Sequence, residues 1–247
     1  MKRGFKLIII ALTLFAAFSC EEDKATEGIS QITFFPDFDY KGETTVFSKC
    51  GAAFADPGVT ASEQGKSIPV TTNVRALISG GSLTAVPGTA DRYTVTYTAV
   101  NKDGYDATAT RTVWQVCTGD LKTSIEGLYT STVVRSGSTG PQYTNMQYIL
   151  IRKKPGTENT YQISDAIGGW YQLGRALGDA YLAPGLEITA NSIPKNDFKF
   201  GGAPEVLGFG GPITPKSLTV NPDTKTLVLI TDWNVYNFVA TLKQVSF

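Results

Sequence analysis

RYTVTYTAVNKDGYDATATRTVWQV, Arg92 to Val116, decides the fold. In its first half Tyr93, Val95, Tyr97 and Ala99 fall on one side of an extended chain, and Thr94, Thr96 and Thr98 on the other. A period of two is that of a strand with one face buried. Asn101 to Gly104 then supply an Asp-Gly able to take the positive φ of a tight reversal, and Asp106–Val116 returns as the second strand of a hairpin.

The pattern continues outward from this hairpin. Strand-like runs follow at 125–137, 146–156, 159–165, 186–193, 197–200, 213–233 and 236–245, and NPDTK at 221–225 reads as a turn dividing the longest of them. Charged residues make up 18% of the 247, and no helix-rich window appears after residue 20. The expectation is an all-β chain of two domains, each large enough to bury a core. We place a leader at 1–19, a tether at 20–30, an Ig-like β-sandwich at 31–117, a linker at 118–123 and a β-rich domain at 124–247. The last has roughly eight strands in up-and-down order, as an antiparallel barrel or sandwich.

Composition removes several kinds of chemistry. The formal charge is zero, and loss of Lys2, Arg3 and Lys6 with the leader makes it about −3, which argues against a nucleic-acid partner. With no histidine in the chain, Ser-His and Cys-His nucleophile systems and the commonest metal ligand are absent. Neither Ser-x-x-Lys nor Gly-x-Ser-x-Gly occurs. GFGG, Gly208–Gly211, lacks the lysine and helix of a phosphate loop and reads as a sheet corner. Asp165 and Asp179 are not separated by the alternating oxygen ligands of a calcium loop. Two of Asp165, Asp179, Glu187, Asp197, Glu205 and Asp232 would suffice for a glycoside hydrolase, but spacing alone pairs none of them. No cofactor and no metal site is expected.

The N-terminus carries an address. Three cations in Met1–Lys6 precede twelve residues, Leu7–Phe18, that are too short to span a bilayer and fit the apolar core of a signal peptide. AFSC, Ala17–Cys20, resembles the lipobox of bacterial lipoproteins, which implies lipidation of Cys20. CEEDK, Cys20–Lys24, is similar to the acidic tag of Bacteroidetes lipoproteins exported to the cell surface. The membrane, through a lipid, is then one partner. Cys50 and Cys117 remain as an even pair in an oxidising compartment, and the readings are a disulfide or two buried thiols.

FADPGVTA (54–61) and PGTADRYTVTYTAVNKDGYDATATRTV (87–113) resemble the bacterial Ig-like domain of pesticidal crystal proteins, with Ala90–Arg92 as an insertion before the tyrosine-rich strand. That likeness implies a spacer or adhesion module. In a seven-strand sandwich Cys50 and Cys117 would lie side by side. Trp114 is expected in the core or between domains. GLYTSTVVRSG, QYILIRK, YQISDAIGGWY, GDAY and TDWNVYNFVATLKQV resemble the C-terminal domain of an uncharacterised family of Bacteroidetes lipoproteins. Genes of that family often lie in polysaccharide-utilisation loci resembling the starch-utilisation system, which implies a glycan-associated surface protein.

One segment carries the candidate binding residues. IGGWYQLGRALGDAY, Ile167–Tyr181, sets Trp170, Tyr171 and Tyr181 beside Gln172, Arg175 and Asp179, with Trp233 and Tyr236 as a second wall. Aromatic faces with a polar rim suit a sugar ring. The competing reading packs these rings over glycines, and in a strand Trp170 and Tyr171 would face opposite ways. They share a site only if the glycines break the strand, with Trp170 and Tyr181 the best candidates for exposure. The leading expectation is a non-catalytic surface lipoprotein of the outer membrane that binds polysaccharide or oligosaccharide for an uptake system. The alternatives are a structural or assembly subunit contacting an outer-membrane transport protein, and a glycoside hydrolase.

Overall fold

The computed structural model describes residues 32–246. The leader, Cys20 and the tether lie outside the described residues. Eight strands make the first half: β1 (Asp37–Tyr40), β2 (Thr45–Lys49), β3 (Val59–Glu63), β4 (Lys66–Ile68), β5 (Thr71–Ala76), β6 (Gly80–Leu83), β7 (Asp91–Val100) and β8 (Asp106–Val116). A sheet in the order β1-β3-β4 faces one in the order β2-β8-β7-β5-β6, one strand more than the seven expected. The hairpin Arg92–Val116 pairs from Val100 against Asp106 to Asp91 against Gln115. Tyr93, Val95, Tyr97 and Ala99 are buried and the intervening threonines half-buried, as the alternation demands.

The sandwich core joins Val74, Val86, Val95 and Val113 to Phe38 and Phe54. At its edge the Asp-Pro-Gly turn does structural work through Asp56, which pairs with the fully buried Arg111 and accepts a 2.6 Å hydrogen bond from the Tyr97 hydroxyl. Arg111 also donates to the backbone carbonyls of Lys41 and Glu43. Its charge is thus compensated where water cannot reach it. β2 lies parallel to β8 with Lys49 opposite Val116, so the next residues meet: Cys50 and Cys117 form a disulfide with Cα atoms 5.1 Å apart.

The second half is β9 (Gly127–Arg135), β10 (Tyr143–Lys153), β11 (Thr160–Ile163), β12 (Leu186–Ser192), β13 (Asp197–Gly202), β14 (Ile213–Asn221), β15 (Thr226–Trp233) and β16 (Tyr236–Gln244). Their order is β13-β12-β11-β10-β9-β16-β15-β14. Sequence neighbours pair antiparallel and β16 returns to β9, so this is an up-and-down barrel, nearly closed, with its seam between β13 and β14. Inward residues such as Tyr129, Val133, Ile149, Leu229, Phe238 and Leu242 form one core.

The residues between Ile163 and Leu186 leave the wall and fill the lumen. Gly168 and Gly169 have φ of 68° and 80°, which turns the chain into a π-helical turn at Trp170–Gly174. The carbonyl oxygen of Gly168 accepts from Ser131 Oγ (2.8 Å), and that of Ala166 from Thr231 Oγ1 (3.0 Å). A Cβ at Gly168 would stand 2.6 Å from that of Ala240 and 2.8 Å from Val133 Cγ2. Only glycine fits there on both grounds. Asp165, wholly buried, ties the two ends of the plug together by accepting from the amides of Ile167, Gly169 and Ala183. Burial raises its carboxyl to about 6, although the three amide bonds pull the other way.

Sandwich and barrel share a packed interface. Trp114 and Val116 of β8 lie against Leu128 and Leu150, the outward residues of β9 and β10, with Tyr148 and Ile78 beside them. Ala90–Arg92 supply the polar part: the Ala90 carbonyl and the Asp91 carboxylate both accept from Arg152 Nη1, and Arg92 pairs with Asp179.

Candidate ligand-binding surface at the barrel mouth

The plug brings together most of the residues singled out in Ile167–Tyr181, but faces them differently from the platform reading. Trp170 is 1% exposed, Tyr171 4% and Trp233 6%. The expectation that Trp170 would be exposed is corrected: its ring lies edge-on to Tyr143 at 4.7 Å and Phe238 at 5.7 Å, in the barrel core. The glycines do break the strand. Their effect is to send Trp170 and Tyr171 into one core, where three tightly apposed rings bury more apolar area than one exposed platform would. Tyr181 alone of the four rings is half-buried.

Of the polar candidates, Arg175 is exposed, with its guanidinium 5.9 Å above the Tyr171 ring. Asp179 is committed to structure: it accepts from Gln172 Nε2 at 2.9 Å and pairs with Arg92 of the sandwich. Among the other acids considered for hydrolysis, Asp165 holds the plug, Glu187 pairs with Lys154 and Asp232 with Lys216. Among the described residues no three acids or cysteines cluster as metal ligands.

The residue that the sequence reading passed over is Phe209. GFGG is a corner in the sense that Gly208, Gly210 and Gly211 all take positive φ, but the curl turns the Phe209 ring outward. It is 51% exposed. Its ring is backed by Tyr181 at 4.8 Å, Tyr171 at 5.0 Å and Trp233 at 6.2 Å. The loop is pinned from below, where Trp233 Nε1 donates to the Gly210 carbonyl (3.1 Å) and the Leu207 amide to the Leu182 carbonyl (2.8 Å). A Cβ at Gly208 would lie 2.7 Å from the Tyr181 ring, so the glycine is what lets loop and plug touch. The sequence signal was an aromatic between glycines that all require left-handed backbone, which displays a side chain as readily as it turns a chain.

The same loop reaches through Leu207 to a cleft of about 370 Å³ that the plug and the sandwich enclose, lined also by Arg75, Leu77, Arg92, Thr94 and Asp179. An exposed aromatic face next to a polar cleft combines the two contacts that hold an amphipathic ring. Burial raises the pKa of the Tyr171 hydroxyl, and Arg135 and Arg175 act against that rise.

With this geometry in view the relatives can be stated. Residues 38–114 match the model of the bacterial surface protein Ig-like domain. Residues 118–244, more than half of the chain, match the model of a family of C-terminal domains. The chain belongs to this C-terminal-domain family. Neither this family nor the Ig-like domain is an enzyme family. The crystal structure of the lipoprotein BT2262 from Bacteroides thetaiotaomicron superposes on 85% of this chain and 100% of its own, with a TM-score of 0.60 and 24% identity. At that identity the likeness speaks for the fold, an Ig-like domain followed by the C-terminal-domain barrel. No curated protein is significantly similar to the chain.

Proposed function

We propose that this protein is a non-catalytic, lipid-anchored surface protein of the cell envelope whose barrel mouth binds glycan for a polysaccharide-uptake system. The anchor rests on AFSC at Ala17–Cys20 and the acidic residues after it. The matches to a surface Ig-like domain and to a lipoprotein structure support the same address. The sandwich serves as a spacer that carries the barrel away from the outer membrane, and its packed interface keeps the mouth in a set orientation.

The observation that carries the binding reading is Phe209: a half-exposed ring, backed by three others, on a loop whose Leu207 lines a cleft with guanidinium and hydroxyl groups. Presenting a preordered aromatic face avoids the cost of ordering it on binding. The test is affinity electrophoresis through a panel of polysaccharides, with the folded protein and with Phe209→Ala. The expected result is retardation by at least one glycan that Phe209→Ala abolishes. No retardation by any glycan would overturn the reading.

A second reading has one observation in its favour. Leu177 and Leu207, on the plug and the glycine-rich loop, are exposed at 39% and 36%, and exposed leucines beside an aromatic suit a protein partner. In that case an outer-membrane transport protein would co-purify with the wild type and not with Leu207→Ser, while no glycan retards either.

A further inference from the structure

Two arginines converge on Tyr171 without an acid between them. Arg135, the last residue of β9, faces the lumen and lies between two rings, 4.9 Å from Trp170 and 4.4 Å from Tyr236. Its positive charge also acts on the Tyr171 hydroxyl. Arg175 approaches the same ring from the solvent side at 5.9 Å. The ion pairs among the described residues employ Arg92, Arg111, Arg152, Lys154 and Lys216. Neither Arg135 nor Arg175 takes part in one. Both arginines favour the ionised form of the Tyr171 hydroxyl, against burial and Tyr236, which oppose it. Arg135 Nε and Trp170 Nε1 are both buried donors with no acceptor in the protein.

Such an arrangement is built for an anion. Guanidinium groups are weakly hydrated, stack on aromatic faces and present a planar fork that matches a carboxylate. Stacking also holds Arg135 in place, so its fork is preorganised. Two guanidinium groups stand at this corner although the chain as a whole has no net charge, so an attraction for anions would belong to this corner and not to a generally basic surface. Phe209 and Arg175 lie on the same Tyr171 ring, at 5.0 Å and 5.9 Å. A sugar resting on Phe209 therefore has its own substituent, or that of the next residue, within reach of the arginine.

We propose that this corner of the mouth is a carboxylate site and that the glycan held over Phe209 is one bearing uronic acids. The inference rests on the glycan-binding reading above and narrows it to a class of polymer. The geometry of the contact would be Arg175 reaching the carboxylate from solvent, with Arg135 and the Tyr171 hydroxyl beneath it.

The test is calorimetry of the full mature protein against oligogalacturonate, its carboxyl-reduced neutral counterpart, non-sulfated heparosan oligosaccharides and a sulfated glycosaminoglycan. At least one uronate chain is expected to bind about tenfold or more tightly than the neutral chain, with the advantage shrinking as salt rises. Arg175→Gln, an exposed position, is expected to remove that advantage without moving the melting temperature. Arg175→Lys, which keeps charge and loses the fork, should restore only part of it. Equal affinity for acidic and neutral chains, both lost in Phe209→Ala, would overturn the carboxylate site and leave the glycan reading standing. Tightest binding to the sulfated chain would assign the anion to a sulfate ester and overturn the uronate assignment. Uronate binding undiminished in Arg175→Gln would overturn it as well. No binding by any of these chains would overturn the uronate assignment, and the glycan reading falls with it only if the polysaccharide panel also gives no retardation.

Discussion

Asp91 of the sandwich and Arg152 of the barrel form an ion pair of 2.7 Å with both side chains out of solvent. Asp91 also accepts from the amides of Ile78, Ser79 and Arg92 and from the Ser79 hydroxyl. Arg152 reaches in turn to the Ala90 carbonyl and Gln162 Oε1. Every strong donor and acceptor of the pair is therefore used, the condition under which a buried pair is tolerated. The interface is polar at this point and apolar around Trp114.

Removing one partner strands the other charge. Arg152→Ala should cost about 3 kcal/mol, and Asp91→Ala, which also orphans three amides, closer to about 5 kcal/mol. Urea denaturation followed by tryptophan fluorescence measures both. If the halves remain folded but lose their mutual packing, the first sign is a transition that divides in two. A loss under about 1 kcal/mol for Asp91→Ala would mean that the pair is solvated in solution.

The disulfide constrains a different part of the sandwich. Cys50 and Cys117 are 67 residues apart in sequence, and on the loop-entropy model such a closure stabilises by about 4 kcal/mol. Because β2 is held to β8 by parallel pairing next to it, the reduced sandwich should still fold, but at a lower denaturant midpoint. Equilibrium unfolding with and without reductant gives the difference. Equal midpoints would show that the bond adds nothing to the strand pairing.

Asp165 makes stability depend on pH with an unusual sign. Its carboxyl titrates at about 6 in the folded chain, raised from 3.8 by burial, so between those values the folded state holds a proton that the unfolded state has released. Stability then falls as pH rises through this window, by up to about 3 kcal/mol for a shift of roughly two units. No histidine in the chain titrates in the same range. The melting temperature is therefore expected to rise from pH 7 to pH 5, and Asp165→Asn, whatever its own stability, should flatten that slope. A wild-type melting temperature that falls from pH 7 to pH 5 would exclude the effect.

The parts of this molecule that could be read in advance are those where one residue's neighbours are set by local geometry. Tyr93 to Ala99 alternate because a half-buried strand has a period of two, and the eight barrel runs follow the same rule. Gly168 and Trp170 obey no period. Their position is set by Ser131, Thr231, Val133 and Ala240, which come from three strands far along the chain, so no window around them contains the answer. Ala90–Arg92 looked like a mere insertion for the same reason, since Arg152, 61 residues on from Asp91, is what gives them a role. Phe209 escaped because glycines at a sheet corner and glycines displaying a ring have the same composition.

The last prediction separates the mouth from the core. Trp170 was the natural residue to remove in a binding test, yet its ring is enclosed by Tyr143 and Phe238 and carries the stack on Arg135. Trp170→Ala should leave a cavity and cost about 3–5 kcal/mol, so any loss of binding in it would report damage to the barrel. Phe209 rests on the outside of a second ring group, Tyr171, Tyr181 and Trp233, and is half in water. Phe209→Ala should cost under about 1 kcal/mol, as exposed positions do. The two variants are expected to part: Trp170→Ala lowers the melting temperature markedly, whereas Phe209→Ala lowers glycan affinity and leaves the melting temperature nearly unchanged. Loss of stability in Phe209→Ala equal to that in Trp170→Ala would mean that the ring belongs to the core, and the mouth would then have no aromatic face to offer a sugar.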